Sequence, residues 1–204
     1  MIKKSLAILK NKQSLYILIL FILFFPLKTQ LQNLLMFLFD FFFRNGITSE
    51  VFNYNYRGSF IGCEQVLKMT TLYPNFSWFQ KHGIYYLNFL PSLIAGFILL
   101  RRWKKDVAFQ IFDWFLVIVT CFSVYTSLND LYFLVINYKE YNTGRILRFL
   151  PSIVLFLSIG VFIFLKVFTF KQRLQVIVFG IIGFYISLYA WYGFLGPLIL
   201  PIIS

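Results

Sequence analysis

The 204-residue chain is predicted to be all-α, a polytopic transmembrane helix bundle of about five spans. Three observations carry that expectation. Hydrophobic residues make up 60% of the chain and charged residues 13%, where a soluble domain carries roughly 25% charged residues. Mean hydropathy is +0.77, and apolar runs of about span length recur along the chain. The basic residues sit at the ends of those runs, where they anchor and orient spans. That placement explains the net charge of +12 and argues against nucleic acid as a partner.

Taken in order, the spans fall at roughly 14–43, 84–100, 107–126, 149–165 and 174–196, within one integral membrane domain, 1–204. The first begins after Lys3, Lys4, Lys10 and Lys12. No small-residue cleavage site follows its apolar run, so the run is read as a retained anchor. Pro26 interrupts it, and Lys28-Thr29-Gln30 and Gln32 separate it from Leu34–Phe43. A single crossing broken near Pro26 is favoured over two segments, one of them interfacial or re-entrant. Asp40 turns away from lipid. Residues 44–82 form the one long polar stretch, rich in Gly and aromatics, and read as an interfacial or re-entrant segment.

The second span carries Pro91, a kink site, and Ser92 with Gly96, a small-xxx-small pair that lets another helix approach. It stops at Arg101-Arg102-Trp103-Lys104-Lys105. The third holds Gln110 and Asp113, three apart and so expected on one face turned into the bundle. An uninterrupted helix over 107–138 would be roughly 48 Å long, so a break near Asn129 is expected, with a polar loop over Lys139–Arg148. The fifth span carries Gly180, Gly183 and Ser187 along one face, a helix-packing seam. Cys63 and Cys121 lie in different environments, which disfavours a disulfide. His82 is the sole histidine.

A cytoplasmic N-terminus puts eleven basic residues on the cytoplasmic side and seven on the other, spread over longer loops. The expected topology is N-terminus in, C-terminus on the opposite side.

The order of Ser49-Glu50-Val51-Phe52-Asn53, a Gly-containing polar segment, a Pro-containing span and a later Asn129-Asp130 resembles the layout of the site-2-type intramembrane zinc metalloproteases. That family sets HExxH near the end of one helix and an Asp on a later one. The resemblance would put Ser49 and Asn53 at the two His ligands, Glu50 at the general base and Asp130 at the third ligand. Ser and Asn are poor zinc ligands, and water activation depends on bound zinc. The resemblance therefore implies a degenerate member without metal, cofactor or catalytic residue. The pattern also reads as a simple helix cap.

Two function classes follow, with a third behind them. The first is a non-catalytic membrane protein, a subunit or scaffold working against membrane lipid and other membrane subunits. The second is a small transporter or channel component using Asp113 and Asp130. The third is an active intramembrane metalloprotease, disfavoured by the missing histidines.

Overall fold

The structure, a computed structural model, describes residues 12–44, 55–58, 75–102, 109–136 and 143–201, and for 81–82 and 143–148 the backbone alone. No strand occurs among the described residues. The helices are α1 (Lys12–Ile22), α2 (Phe24–Phe43), α3 (Trp78–Leu87), α4 (Leu90–Arg102), α5 (Ile111–Ile136), α6 (Thr143–Phe162), α7 (Phe170–Gln175), α8 (Ile181–Ala190) and α9 (Gly196–Ile199). π-helical turns at Ile163–Val167, Val176–Gly180 and Trp191–Leu195 join or extend the later helices. Gly83–Arg102, Ile111–Ile136, Phe149–Val167 and Phe170–Ile199 are each long and apolar enough to cross a membrane. The broken pair α1 and α2 makes a fifth if it counts as one span. The chain is an all-α polytopic bundle.

The chain divides into two compact units, residues 1–20 with 91–180 and residues 21–90 with 181–204. In the first, α5 and α6 pack antiparallel. A Cβ on Gly160 would lie 3.0 Å from Val124, and Ser127 Oγ donates to the Ser152 carbonyl. Helix α4 closes on both. Ser92 Oγ donates to the Val119 carbonyl at 2.6 Å, and a Cβ on Gly96 would come within 3.0 Å of Ile159. Leu99, Trp114, Ile118 and Phe156 fill the space between these helices and are buried. Gln175 reaches back from α7 to donate to Ser14 of α1.

In the second unit α2 is central. Leu23 ends the first helix, and Phe24 starts the next with no side-chain cap of its own. The orphaned Phe25 N–H is satisfied from elsewhere: it donates to Ser187 Oγ of α8 at 3.0 Å. Pro26 then falls in the first turn of α2, where a missing N–H costs nothing. Rings of Phe24, Phe25 and Phe184 meet edge-on or tilted around this junction. At the other end of α2, Met36 and Phe39 pack with Ile84 of α3. Ser77 and Gln80 form a capping box that starts α3.

Several sequence expectations are corrected. The break in the first segment, expected near Pro26, is only sharpened: it falls at Leu23. No break occurs at Asn129: α5 runs unbroken for 26 residues, about 39 Å at 1.5 Å per residue. It starts at Ile111, later than the apolar run, and a tilted span accommodates the length described. Helix α6 already begins at Thr143, inside the stretch expected as a polar loop, and residues 139–142 of that stretch lie outside the described residues. Pro91 does lie at an interruption, just after Asn88 and Phe89 separate α3 from α4.

Candidate functional site

Two polar constellations sit among these apolar helices. The larger is on α2. Thr29, Asn33, Met36, Asp40 and Arg44 recur at helical spacing and are all buried, as is Lys28 beside them, at 2% exposure. Leu34, Phe37, Phe41 and Phe42 point the other way and are exposed. The helix is thus inverted relative to a soluble one, with a polar face inward and an apolar face outward.

That face holds a short strap, Asn55–Gly58. Asn33 Nδ2 donates to the Asn55 carbonyl at 2.8 Å. Asn55 Oδ1 accepts from the Arg57 N–H, an Asx turn that reverses the chain. Gly58 closes the turn at φ +67, a left-handed conformation that favours glycine. It also lies against α2, where a Cβ would come 3.1 Å from the Thr29 carbonyl oxygen and 3.3 Å from Gln32 Oε1. Lys28 Nζ donates to that same Gln32 oxygen at 3.2 Å.

From the other side, Trp191 Nε1 donates to the Tyr56 carbonyl at 2.8 Å, and the Tyr56 N–H donates to the Leu200 carbonyl. The π-helical turn Trp191–Leu195 sets the indole on this side. Gly196 leaves no room for a side chain, since a Cβ would stand 2.7 Å from the Tyr56 Cβ and against the Trp191 carbonyl oxygen. The strap is therefore pinned between α2 and the last helices of its unit. At the far end of α2, the Arg44 Nε donates to the Gln80 carbonyl at 2.7 Å, and Gln80 Nε2 donates to the Phe43 carbonyl at 2.8 Å. Burial lowers the Arg44 pKa and the Asp40 carboxylate opposes that shift. The guanidinium stays charged.

The second constellation lies where α4 ends and α5 begins. Arg102 Nε stands 2.8 Å from Asp113 Oδ1, with the aspartate fully buried and Arg102 29% exposed. The other carboxylate oxygen accepts the Gln110 N–H at 2.8 Å. Asp113 is thus both an ion-pair partner and the cap of the first turn of α5. Phe109 and Trp114 pack on Phe168 beside it. This brings the 101–102 and 166–173 basic stretches to one end of the first unit. The Gln175–Ser14 bond brings the start of α1, with Lys12, to the same end.

The sequence candidates fall as follows. Ser49, Glu50, Asn53 and Cys63 lie outside the described residues. Asp130 is half-buried on α5, seventeen residues from Asp113, so about 25 Å along the helix and a different face separate them. Gln110 and Asp113 do not share a helical face: Gln110 precedes α5 and is exposed. Ser92, Gly96, Gly180, Gly183 and Ser187 are placed at buried or close-packed positions. What sequence reading missed is the polar face of α2 with its strap. The signal is Thr29, Asn33, Asp40 and Arg44 at steps of four, seven and four residues, hidden because Thr29 reads as part of a gap between apolar runs, Asp40 as a lone carboxylate turned away from lipid and Arg44 as the start of the polar stretch.

No protein-family model, no curated protein and no solved structure matches this chain.

Proposed function

We propose that the chain is a non-catalytic integral membrane protein, a subunit or scaffold of a membrane complex. On the resemblance of residues 49–53 and Asp130 to the site-2-type proteases, it is a pseudoprotease. One observation carries the proposal most. Asp113, the sequence's best candidate for a carboxylate working inside a span, is fully buried and engaged in joining α4 to α5. Asn33 likewise joins the strap to α2. A transport path or a catalytic centre needs polar groups that face a substrate, and these are spent on the protein's own contacts, Asp113 on Arg102 and the Gln110 N–H, Asn33 on the strap. The separation of Asp113 from Asp130 also counts against the transporter reading.

The proposed orientation has the N-terminus in the cytoplasm and the C-terminus opposite. It is supported by the gathering of Lys12, Arg101, Arg102, Lys166, Lys171 and Arg173 at one end of the first unit, as the bias of basic residues towards the cytoplasm requires.

Elemental analysis of purified protein, paired with Glu50→Gln, tests the absence of catalysis. Zinc well below one per chain, and unchanged assembly in Glu50→Gln, are expected. One zinc per chain with peptide hydrolysis abolished by Glu50→Gln would make the chain an enzyme with an unfamiliar ligand set.

A further inference from the structure

The first unit contains a cavity of about 490 Å³, lined by residues that include Leu99, Val117, Cys121, Leu157, Phe164 and Phe168. It is a half-open cleft, since the lining residues Val161, Leu128 and Leu165 are exposed, and its volume lies within the roughly 300–1,000 Å³ of ligand pockets. Its wall is almost wholly apolar. The Thr120 hydroxyl in it is already engaged, donating to the Leu116 carbonyl at 2.9 Å. Water needs polar partners to occupy such a space, so the fitting occupant is hydrocarbon. The π-helical turn Ile163–Val167 contributes Ile163, Phe164 and Leu165 to the wall, and its wider coil makes room there.

Cations flank one end of this cavity. Arg173 Nη2 donates to the carbonyl of Leu165 at 2.6 Å, and its Nε to that of Phe168 at 3.2 Å. Both carbonyls belong to lining residues, so the guanidinium stands one hydrogen bond from the wall. Lys166, next in sequence to the lining residue Leu165, and Lys171, two residues before Arg173, are exposed, as is Arg101. The acid at this end among the described residues, Asp113, is already matched by Arg102. An uncompensated positive rim thus adjoins an apolar cleft within membrane-length helices.

We propose that the first unit binds one anionic glycerophospholipid, with an acyl chain in the cavity and its phosphate at Lys166, Lys171 and Arg173. Basic pockets between spans recognise anionic headgroups in this way. The site depends on the membrane bundle and not on the subunit proposal, so either can fail alone.

The test is native mass spectrometry of delipidated protein offered phosphatidylglycerol or phosphatidylcholine. One phosphatidylglycerol per chain is expected, preferred by at least about tenfold over phosphatidylcholine, given two exposed lysines at the rim. Lys166→Gln with Lys171→Gln should bring that preference below about twofold while a lipid still binds. Cys121→Phe should fill the cavity and abolish binding of both lipids. Val161→Trp, at a lining position that is 56% exposed and so tolerant, provides the same test if Cys121→Phe fails to fold. Equal binding of the two lipids by the parent, or undiminished binding by a folded cavity-filling variant, would overturn the proposal. So would competition by soluble glycerol phosphate as strong as that by the lipid, which would make the site a phosphate site only.

Discussion

Replacing Asp113 separates a structural role from a working one. In the parent its carboxylate accepts the Gln110 N–H at 2.8 Å and lies 2.8 Å from Arg102 Nε. Asp113→Ala removes both contacts. Losing a helix cap costs about 1 kcal/mol. Breaking a buried ion pair costs about 3–5 kcal/mol when the surviving charge is trapped. Arg102 is 29% exposed and can turn towards headgroups, so its share falls to about 1–2 kcal/mol. The total expected loss is about 2–3 kcal/mol. Asp113→Asn keeps an acceptor for the Gln110 N–H and should lose only about 1–2 kcal/mol. Arg102→Met should be the most damaging, about 3–4 kcal/mol, because it leaves the wholly buried carboxylate without its cation. The assay is reversible unfolding in mild detergent, followed by tryptophan fluorescence, which Trp114 reports from the next position on α5. A double-mutant cycle should give a coupling of about 1.5 kcal/mol or more between the two sites. An Asp113→Ala protein as stable as the parent within about 0.5 kcal/mol would refute the reasoning and return Asp113 to the candidates for transport.

Three further outcomes follow from the same geometry. Asn33→Ala should cost about 1–2 kcal/mol by removing the shorter of the bonds to the buried Asn55 carbonyl, which keeps the Gly58 N–H at 3.4 Å, and hydrogen exchange at residues 55–58 should speed up; unchanged exchange would mean the strap is held elsewhere. Gly196→Ala should cost about 1–3 kcal/mol by pushing Tyr56 off the last helices, seen as a lowered midpoint in the same unfolding assay, whereas a neutral substitution would place Tyr56 further away. In a cysteine-free background, single cysteines at Lys171 and Asn75 probed on intact cells with an impermeant thiol reagent should label at Asn75 and not at Lys171; the reverse pattern rejects the orientation.

The helical class and the approximate spans were legible because lipid solvation imposes a composition that few other constraints imitate. Local punctuation was less legible. The break expected near Pro26 falls at Leu23, where Ser187 of α8 accepts the freed Phe25 N–H. That partner lies 162 residues away and leaves no local mark. Asn129 was read as an interruption for a similar reason. Its neighbour Ser127 is buried on α5 and donates to α6, so the polar residues there serve packing and the helix continues. The polar face of α2 is not legible because Lys28 and Asn33 read as an interruption between apolar runs until Asn55, Gln32 and Trp191 supply their setting. Conversely, the distribution of basic residues foretold a grouping that contacts such as Arg102–Asp113 and Gln175–Ser14 complete.

The central claim, that this chain works by assembly and not by catalysis, is tested most directly by its native mass. Protein extracted from its own membranes in mild detergent and measured by native mass spectrometry should carry at least one other membrane chain at fixed stoichiometry, and Glu50→Gln should carry the same. A particle containing only this chain, holding one zinc and cleaving a membrane peptide in the parent but not in Glu50→Gln, would contradict the account.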